Sequence, residues 1–484
     1  MSFDNQLKRQ VAFAVVCLAQ FMVVLDASIM NVALPSIQTA LHVSESNLPW
    51  IVNGYTLFFG GFLLLGGRSA DLLGRRRVFM AGLILFGGAS MVGGFAQSTL
   101  WLVIARGVEG LGAAIISPAS LSIIYTMFPD TEERNRSLGI WGALGGLGAA
   151  CGGLLGGVLT DSLGWEWVLF VNVPIAAAAV VAIPMLIEES HIAGRARELD
   201  FAGAVTVTSS LLLLVYAVLE TSANGWLSPI TIGCLAAAAA LMALFLVIET
   251  RVPAPLVPLR IFRINSVRSG DIVAAFAGAG IFPFFYFVTL YMQQVLGYSA
   301  LRTGIAFLPF SITLITSSII VSRLLTRIGV KQLLVGALFV MAAGLYLMSP
   351  LKASWSYLNL LVPLELTAIG FGISIVPLTV AALSGLSHRE SGLGSGLLNA
   401  FRQIGGAVGL AILATVAANR TSGLVADGNA PRIALSDGFA TAFLIAGSLV
   451  VVAGLCAFIL LRPHRPAEAA TSEHGIEPSP AAGS

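Results

Sequence analysis

The chain has 484 residues, of which 57% are hydrophobic and only 10% are charged, and its formal net charge is +2. Because roughly a quarter of the residues of a soluble domain are charged, this composition excludes an ordinary soluble protein and indicates a polytopic membrane protein. The small net charge gives no support to a nucleic-acid partner. The five histidines and four cysteines are scattered, so we expect neither a metal site nor a disulfide framework.

Fourteen apolar stretches are long enough to cross a bilayer, which requires about 20 residues of helix. The first stretch has no small-residue cleavage site and continues into further apolar sequence, so we predict an uncleaved first span. The predicted fold class is an all-α polytopic membrane protein with 14 transmembrane helices. The spans cover residues 11–33, 50–67, 77–96, 99–125, 137–159, 167–187, 200–220, 227–248, 269–295, 304–325, 331–350, 355–380, 392–417 and 438–461.

The placement of basic residues predicts the orientation of these spans. An even number of spans puts both termini on one side of the membrane. Twenty of the 26 Lys and Arg residues fall in the tails and connections of that side, and four fall on the other. Since cytoplasmic loops carry the excess of Lys and Arg, we predict that both termini are cytoplasmic.

The spans are grouped as six, two and six. We predict an N-terminal six-helix bundle (residues 1–190), linkers with two additional helices (191–262), a C-terminal six-helix bundle (263–462) and a disordered cytoplasmic tail (463–484). Residues 322–331, SRLLTRIGVK, are a degenerate copy of GRSADLLGRRR at residues 67–77. Such duplicated halves, with a substrate path between them, predict transport by alternating access.

The first and fourth spans carry ionisable residues, each of which costs about 2.5 to 3.5 kcal/mol at mid-membrane and marks a candidate functional site. Asp26 and Arg106 each lie about seven residues from the outer end of their span, or about 10 Å inside the outer boundary. Glu109 is on the same helix face as Arg106. We predict a proton relay, in which movement of Arg106 relative to the two acids changes their proton affinity. A structural ion pair is the alternative.

The loop at residues 67–77 is rich in arginine and lies between the second and third spans. Its glycines permit a tight turn, its aspartate can accept hydrogen bonds from a helix N-terminus or an arginine, and its arginines can reach Glu132 or Glu133 in the next cytoplasmic loop. We predict that such contacts latch the cytoplasmic side shut; the alternative is that the arginines only orient the helices. The predicted latch residues are Gly67, Asp71, Gly74, Arg75 and Arg76.

Several segments resemble motifs of the major facilitator superfamily. The loop at residues 67–77 resembles the signature G-x-L-A-D-x-x-G-R-R, with Ser69 at the leucine position. Residues 25–35, LDASIMNVALP, and 106–114, RGVEGLGAA, are similar to first-helix and fourth-helix motifs of its fourteen-helix drug:proton antiporters, of the methylenomycin and multidrug resistance type. Glu109 replaces the usual glutamine of the second motif.

This resemblance is dense over the first six spans and sparse over the rest. It implies the major facilitator fold, a multi-pass protein of the bacterial inner (cytoplasmic) membrane, a role for Arg106 in proton transfer, and a role for the loop at residues 67–77 in stabilising the outward-open state. Residues 164–174 and 394–406 also resemble family patterns.

The fifth span is rich in glycine at four-residue spacing, which lets helix backbones pack closely. Residues 152–157, GGLLGG, are similar to the antiporter motif GPLLGG, with Gly153 at the proline position. A nucleotide-binding loop is excluded because no strand and soluble helix flank it. The predicted helix-packing residues are Gly148, Gly152, Gly153, Gly156 and Gly157.

The last six spans supply candidate binding residues near the membrane midplane, where transporter sites are expected. Glu365 is predicted either to bind a cationic substrate or to pair with Arg402. The aromatic residues 282–286 line an apolar pocket for planar molecules or pack within the bundle. Asp271, near a span end, is predicted to be solvated or interfacial, with substrate binding as the alternative. The candidate substrate-binding residues are Asn31, Asn53, Tyr55, Phe285, Tyr286, Glu365, Asn399, Arg402 and Gln403.

The predicted function is proton-coupled efflux (antiport) of drugs, antibiotics or other small amphipathic or cationic compounds. The partners are the substrate, protons and the lipid bilayer; we expect a monomer, no enzymatic activity, and no cofactor beyond the proton gradient. No Walker-type segment occurs that would indicate ATP as the energy source. The alternatives are a dedicated exporter of one endogenous metabolite or lipid, and a membrane sensor that transports nothing.

Overall fold

The regular elements are helices throughout the part of the chain that the computed structural model describes, which comprises residues 3–128, 130–189, 199–386 and 390–461. The first bundle contains α1 (Phe3–Ala40), α2 (Pro49–Leu73), α3 (Arg75–Gly94), α4 (Thr99–Met127), α5 (Thr131–Leu163), α6 (Trp167–Phe170) and α7 (Asn172–Leu186). The central pair is α8 (Phe201–Asn224) and α9 (Pro229–Arg251). The last bundle contains α10 (Asn265–Leu290), α11 (Ala300–Ala306), α12 (Leu308–Ile328), α13 (Val330–Leu347), α14 (Tyr357–Leu383), α15 (Ser391–Ala426) and α16 (Pro431–Leu460). The predicted tail at residues 463–484 lies outside the described residues.

Thirteen helical segments of the described chain are long and apolar enough to cross a membrane. They coincide with thirteen of the predicted spans, with α6 and α7 forming one, α10 and a π-helical turn (Tyr291–Val295) another, and α11 and the start of α12 a third. The fifth predicted span lies within α5, which is not among the thirteen. The all-α membrane fold is therefore confirmed, whereas the count of fourteen and the location of the termini stay predictions.

The arginine-rich segment after the second span is helix rather than loop for most of its length. Helix α2 continues to Leu73, α3 begins at Arg75, and the connection is Gly74 alone. Gly74 has φ +107°, a conformation that an L side chain rarely adopts. The prediction of a loop from residue 67 was wrong because Gly67 packs against the ring of Pro118 on α4 and continues the helix instead of breaking it.

Each bundle is held by a small set of helix pairs. In the first, α2 and α3 pack against α4, and α1 packs against α5 and α7. In the last, α10 packs against α15 and α16, and α14 packs against α12 and α13. The central helices α8 and α9 pack against each other, and α8 also contacts both α2 and α15. The predicted domain boundaries stay predictions.

The two bundles meet along α2 and α15, and between α5 and α11. Hydrogen bonds join them at the predicted outer side. Asp161, near the end of α5, accepts hydrogen bonds from the backbone N–H groups of Ala300 (3.2 Å) and Leu301 (2.9 Å) at the start of α11. Gln293 Nε2 donates to the carbonyl of Val32 on α1 at 2.9 Å. The outer ends of the bundles are therefore closed against each other in this structure.

Candidate functional site

Helices α1 and α4 bring the three residues of the predicted proton relay into contact. Arg106 Nη1 lies 2.6 Å from Oδ2 of Asp26 and 2.6 Å from Oε2 of Glu109. The arginine is 1% exposed and both acids are 0% exposed. Arg106 is seven residues from the start of α4 at Thr99, whereas Asp26 is fourteen from the end of α1 at Ala40. Helix α1 continues for seven residues past residue 33, where the predicted first span ends, and the contact with Arg106 places Asp26 and Arg106 at the same depth.

Two further polar side chains complete this buried cluster. Asn172 Nδ2, at the start of α7, donates to Oδ1 of Asp26 (2.9 Å) and to Oγ of Ser90 (3.0 Å) on α3. Ser90 Oγ in turn donates to Oε1 of Glu109. Every carboxylate oxygen of the two acids thus accepts a hydrogen bond. Neither Ser90 nor Asn172 was predicted from the sequence, because an uncharged polar residue within an apolar span is a weaker signal than a charged one.

Tyr55, a predicted substrate-binding residue, lies against this cluster. Its ring centroid lies 4.6 Å from Cζ of Arg106, and its hydroxyl donates to the carbonyl of Val23 at 3.2 Å. A cation–π contact of this kind contributes about 2 kcal/mol when desolvated. Tyr55 is 3% exposed and Asn53 is fully buried, so neither is open to substrate in this conformation.

The charge of the cluster depends on bound protons. With both acids ionised, two carboxylates face one guanidinium and the net charge is −1; one proton makes the cluster neutral. An uncompensated buried charge costs several kcal/mol, and Arg106 keeps its charge. One proton on Asp26 or Glu109 therefore makes the cluster electrically neutral. Loss of this proton leaves a net charge of −1 buried in the bundle.

Each acid has a neighbouring side chain that can form a hydrogen bond with both its protonated and its ionised form. The Ser90 hydroxyl can donate to an ionised Glu109 or accept from a protonated one. Asn172 Oδ1 is buried without a hydrogen-bond partner among the described groups, and rotation of the amide presents this oxygen to Asp26. The arrangement can therefore hold a proton on either acid without leaving a carboxyl group unpaired.

The predicted helix-packing glycines lie on two faces of α5. Gly148, Gly152 and Gly156 face α1: a Cβ atom at Gly152 would clash with Ser28, and one at Gly156 would lie 2.9 Å from Ile29. Gly153 and Gly157 face α11, where a Cβ atom at Gly157 would lie 2.6 Å from the carbonyl oxygen of Ala300. Helix α5 thus contacts the helix that carries Asp26 on one face and the opposite bundle on the other.

The arginines after Gly74 pair with a carboxylate that the sequence analysis did not predict. Glu189, after α7, accepts hydrogen bonds from the backbone N–H groups of Arg76 (3.2 Å) and Arg77 (3.1 Å). Its carboxylate lies at the N-terminus of α3, where the helix dipole favours a negative charge. The predicted pairing of Arg76 with Glu132 or Glu133 was wrong because α7, not the start of α5, ends beside α3.

Other contacts complete the arginine-rich junction. Glu133 pairs with Arg9 of α1 at 3.1 Å, and Arg75 Nε donates to Oγ of Ser122 at 2.5 Å. Arg68 Nη1 donates to the carbonyls at positions 254 (2.7 Å) and 255 (2.9 Å), in the connection after α9. The side chain of Asp71 lies outside the described part of the structure.

Comparison with known proteins identifies the family. Residues 16–410 match the family model of the Major Facilitator Superfamily. The chain belongs to this superfamily. Since its members are transporters, the protein is a membrane transporter and not an enzyme.

Similar superfamily members carry names of antibiotic resistance or export. The chain is 36% identical to the puromycin resistance protein of Streptomyces alboniger over 98% of this chain and 95% of the relative. It is 40% identical to the cephamycin export protein of Amycolatopsis lactamdurans over 86% of each. It is 30% identical to the lincomycin resistance protein of Streptomyces lincolnensis over 94% of this chain and 92% of the relative.

Solved transporter structures share the fold at low sequence identity. A D-xylose-proton symporter superposes with a TM-score of 0.66 at 15% identity, over 93% of this chain and 97% of the symporter. An inward-open xylose transporter from E. coli gives 0.63 at 16% identity, over 94% and 97% of the two chains. These similarities extend to both bundles and concern the fold alone.

The remaining predicted binding residues lie on α1, α14 and α15. Arg402 and Asn399 are bonded to each other on α15. Glu365 does not pair with Arg402 among the described ion pairs, and its Oε1 is buried without a partner. Gln403 is 8% exposed and packs against Gly60 of α2. Asn31 Nδ2 donates to the carbonyl at position 27 of its own helix at 3.2 Å.

The aromatic residues of α10 form a packed cluster. Phe285 contacts the rings of Phe284 (centroids 5.2 Å apart), Phe310 (5.5 Å) and Phe371 (6.5 Å), and Tyr286 is 3% exposed. In this conformation they fill the bundle rather than line an open pocket. Asp271 was predicted to be solvated or interfacial, which was wrong: it is 1% exposed because α15 and α16 pack over α10.

Proposed function

We propose that this Major Facilitator Superfamily transporter exports small amphipathic or cationic compounds, including antibiotics, in exchange for protons. The observation that carries the proposal is the sealed cluster of two carboxylates around one guanidinium, which a single proton balances. The names of the similar proteins, which refer to antibiotic resistance or export, support the cargo class. We further propose that the protein acts as a monomer in the bacterial inner membrane, with no cofactor other than the proton gradient.

The geometry gives a route from protonation to helix movement. Glu109 is on the same helix as Arg106, so its contact with the arginine does not tie two helices together. Asp26 is on α1, so its contact with Arg106 does. A proton on Asp26 removes one charge-assisted hydrogen bond, worth about 1.5 to 3 kcal/mol, between α1 and α4. Proton binding to Asp26 therefore weakens the contact between α1 and α4.

Helix α1 also reaches the outer contacts between the bundles. Val32, six residues after Asp26, accepts the hydrogen bond from Gln293, and Gln38 accepts one from Gln294 at 2.7 Å. A shift of α1 relative to α4 therefore acts on the contacts that close the outer side. In the proposed cycle, the cargo-loaded transporter opens to the outside, a proton from outside binds to the cluster as the cargo leaves, and this proton is released to the cytoplasm after the return.

The energy source is sufficient for uphill export. One proton that moves down a potential of 100 mV yields about 2.3 kcal/mol, before any pH gradient is added. This free energy corresponds to a concentration ratio of roughly fifty-fold for an uncharged cargo at one proton per molecule.

The test is transport by purified protein in liposomes with an imposed pH gradient. We expect the wild-type protein to accumulate a fluorescent cationic dye against its gradient and to stop when a protonophore collapses the proton gradient. Protein-free liposomes provide the control for passive partition. Dye accumulation that continues undiminished after the gradient has been collapsed would contradict the proposal.

A second candidate function is export of one dedicated compound, which the similarity to a cephamycin export protein favours. A panel of structurally unrelated antibiotics, tested for protection of an efflux-deficient bacterial host, separates the two. Protection against one chemical class alone supports the dedicated exporter, and protection across several classes supports the broader one.

A further inference from the structure

A cavity of about 70 Å³ lies within the last bundle, between α10, α13, α14 and α15. Most of its wall is apolar and includes Ile281, Met341, Phe371 and Leu378. Arg402 is the charged residue of the cavity lining, and Asn399 lines the cavity beside it. Arg402 is eleven residues into α15 from Ser391, and therefore about 16 Å from that end of the helix.

Arg402 has no counter-ion among the described residues. Its Nη2 donates to Oδ1 of Asn399 at 2.7 Å, and its Nε is buried without a partner. The ion pairs of the described chain do not include it. An arginine keeps its charge in a protein. The Arg402 side chain is half-buried, and burial of charge without a counter-ion costs free energy. The cluster around Arg106 shows how the same fold satisfies a guanidinium when the chain itself provides the anions.

The other polar groups of the cavity cannot replace a carboxylate. The hydroxyls of Ser374, Thr379 and Ser395 donate to carbonyls of their own helices at 2.8, 2.9 and 3.0 Å. The hydrogen-bond donors that remain for a ligand are the N–H groups of Arg402 and the amide of Asn399, which is exposed. This end of the cavity offers positive charge and donors, with no acid in its lining.

The guanidinium is held in place from behind. Gly278 of α10 lies against the carbonyl of Arg402 so closely that any Cβ atom would clash with it. The backbone of α15 is thereby fixed against α10, and the bond to Asn399 fixes one edge of the guanidinium. An arginine oriented in this way can bind a carboxylate through two parallel hydrogen bonds.

We propose that the Arg402 cavity binds the carboxylate of an amphipathic cargo, whose apolar or aromatic part contacts Phe371 and the neighbouring apolar wall. This inference rests on the proposed export function and narrows its substrate class: amphipathic acids and zwitterions are cargo in addition to cations. A cation without an acidic group makes no use of Arg402.

The test compares binding of a rhodamine with a free benzoic acid and of its methyl ester, which differ only in that carboxylate. Binding is measured by fluorescence anisotropy with purified full-length protein in neutral detergent, without a proton gradient. For a charge-assisted pair we expect the wild-type protein to bind the acid about 10-fold or more tightly than the ester. Arg402→Gln should abolish this preference and leave binding of the ester unchanged, whereas Arg402→Lys should retain part of it.

Controls separate the site from folding and from coupling. Arg420→Gln, which removes an exposed arginine on the same helix, should keep the preference for the acid. Asp26→Asn should keep the preference as well, because any effect of the proton cluster on cargo binding is common to the two dyes, which differ only in the carboxylate that Arg402 binds. Unchanged ester binding by Arg402→Gln shows that this variant is folded. If efflux does not depend on protons but the wild-type protein still prefers the acid through Arg402, the carboxylate site is supported and the antiport mechanism is contradicted.

Three outcomes overturn the inference. The first is equal binding of the two dyes by the wild-type protein, including binding of neither. The second is a preference for the acid that survives in Arg402→Gln, or a loss of both dyes together in that variant. The third is displacement of the acid from wild-type protein by phosphatidylglycerol that depends on Arg402, which would assign the cavity to a lipid headgroup.

Discussion

The two acids that contact Arg106 have different tasks because they lie on different helices. Glu109 is three residues from Arg106 within α4, so its hydrogen bond at 2.6 Å has the same geometry wherever α4 moves. Asp26 reaches Arg106 from α1, and its hydrogen bond is made or broken by relative movement of the two helices. In the proposed mechanism, Asp26 thus links proton binding to conformation, and Glu109 sets the number of charges that must be balanced.

We expect Asp26→Asn to abolish proton-driven transport while the protein still folds. The amide keeps the size of the side chain and can still accept from Arg106, but it removes the group that binds and releases the proton. The measurement is gradient-driven dye accumulation in liposomes. Asp427→Asn is the matched control, because Asp427 is exposed in the connection after α15. Equal transport by the two variants would show that Asp26 does not couple protons to cargo.

Glu109→Gln tests the charge balance of the same cluster. With glutamine there, Asp26 and Arg106 already form a neutral pair, and a proton on Asp26 would leave the guanidinium uncompensated. We therefore expect about one proton fewer to be released when cargo binds, measured with a pH-sensitive dye in weakly buffered detergent solution. Proton release equal to that of the wild-type protein would rule out a role for Glu109 in proton binding.

The sequence predicted the charged members of this cluster and missed the uncharged ones for a physical reason. Asp26, Arg106 and Glu109 stand out because a charge within an apolar span is costly. Ser90 and Asn172 do not stand out, because a small polar side chain in a membrane helix can bond to its own backbone, as Ser69 does to the carbonyl of Leu65. Their role depends on which helices pack together, and the sequence of each span by itself does not give this information.

At the level of elements, glycine marks the positions where helices come closest. The sequence predicted from glycine spacing that α5 would pack closely, but not that its glycines would divide between α1 on one face and α11 on the other. Gly67 was predicted to begin a loop, although it continues α2 against α4. Spacing alone does not distinguish a glycine that permits close packing from one that ends a helix.

Two substitutions in α5 test this packing, and we expect them to have different effects on the stability of the protein. At Gly157, a Cβ atom would lie 2.6 Å from backbone atoms of α11, whereas at Gly139 it would meet nothing within 4 Å. We expect Gly157→Ala to destabilise the protein by about 1 to 3 kcal/mol through overpacking. Gly139→Ala should be neutral or stabilising by up to about 1 kcal/mol, through better helix propensity. Unfolding curves in detergent provide the measurement, and equal shifts for the two variants would contradict the packing role.

At the level of the whole molecule, the central helices lie across the junction of the bundles. Thr208 of α8 packs against Gly61 of α2, and Thr415 of α15 donates to the carbonyl of Val218 at 3.2 Å. Arg68, near the C-terminal end of α2, is hydrogen-bonded to the connection after α9. Helix α8 therefore contacts one helix from each bundle, and any rocking movement of the bundles must slide or bend these contacts.

The outer contacts between α1 and the π-helical turn provide a test of alternating access itself. Gln38 and Gln294 lie on opposite bundles and share a hydrogen bond of 2.7 Å. If transport requires these ends to separate, cysteines at the two positions, joined by a short thiol-specific cross-linker that a reductant can cleave, should stop transport until the reductant is added. The cysteines at positions 17, 151, 234 and 456, which are free in the native chain, are first replaced by serine.

The control for this experiment is a cross-link within one bundle. Arg420 and Asp437 are joined by an ion pair of 2.9 Å between α15 and α16 of the last bundle. Cysteines at these two positions are cross-linked with the same reagent, so the control protein also carries two added cysteines and one cross-link. Because the bundles move as units in alternating access, this cross-link should leave transport intact while the link between Gln38 and Gln294 blocks it. Transport that survives both cross-links would mean that the outer ends need not part, and that cargo leaves by a route other than the path between the bundles.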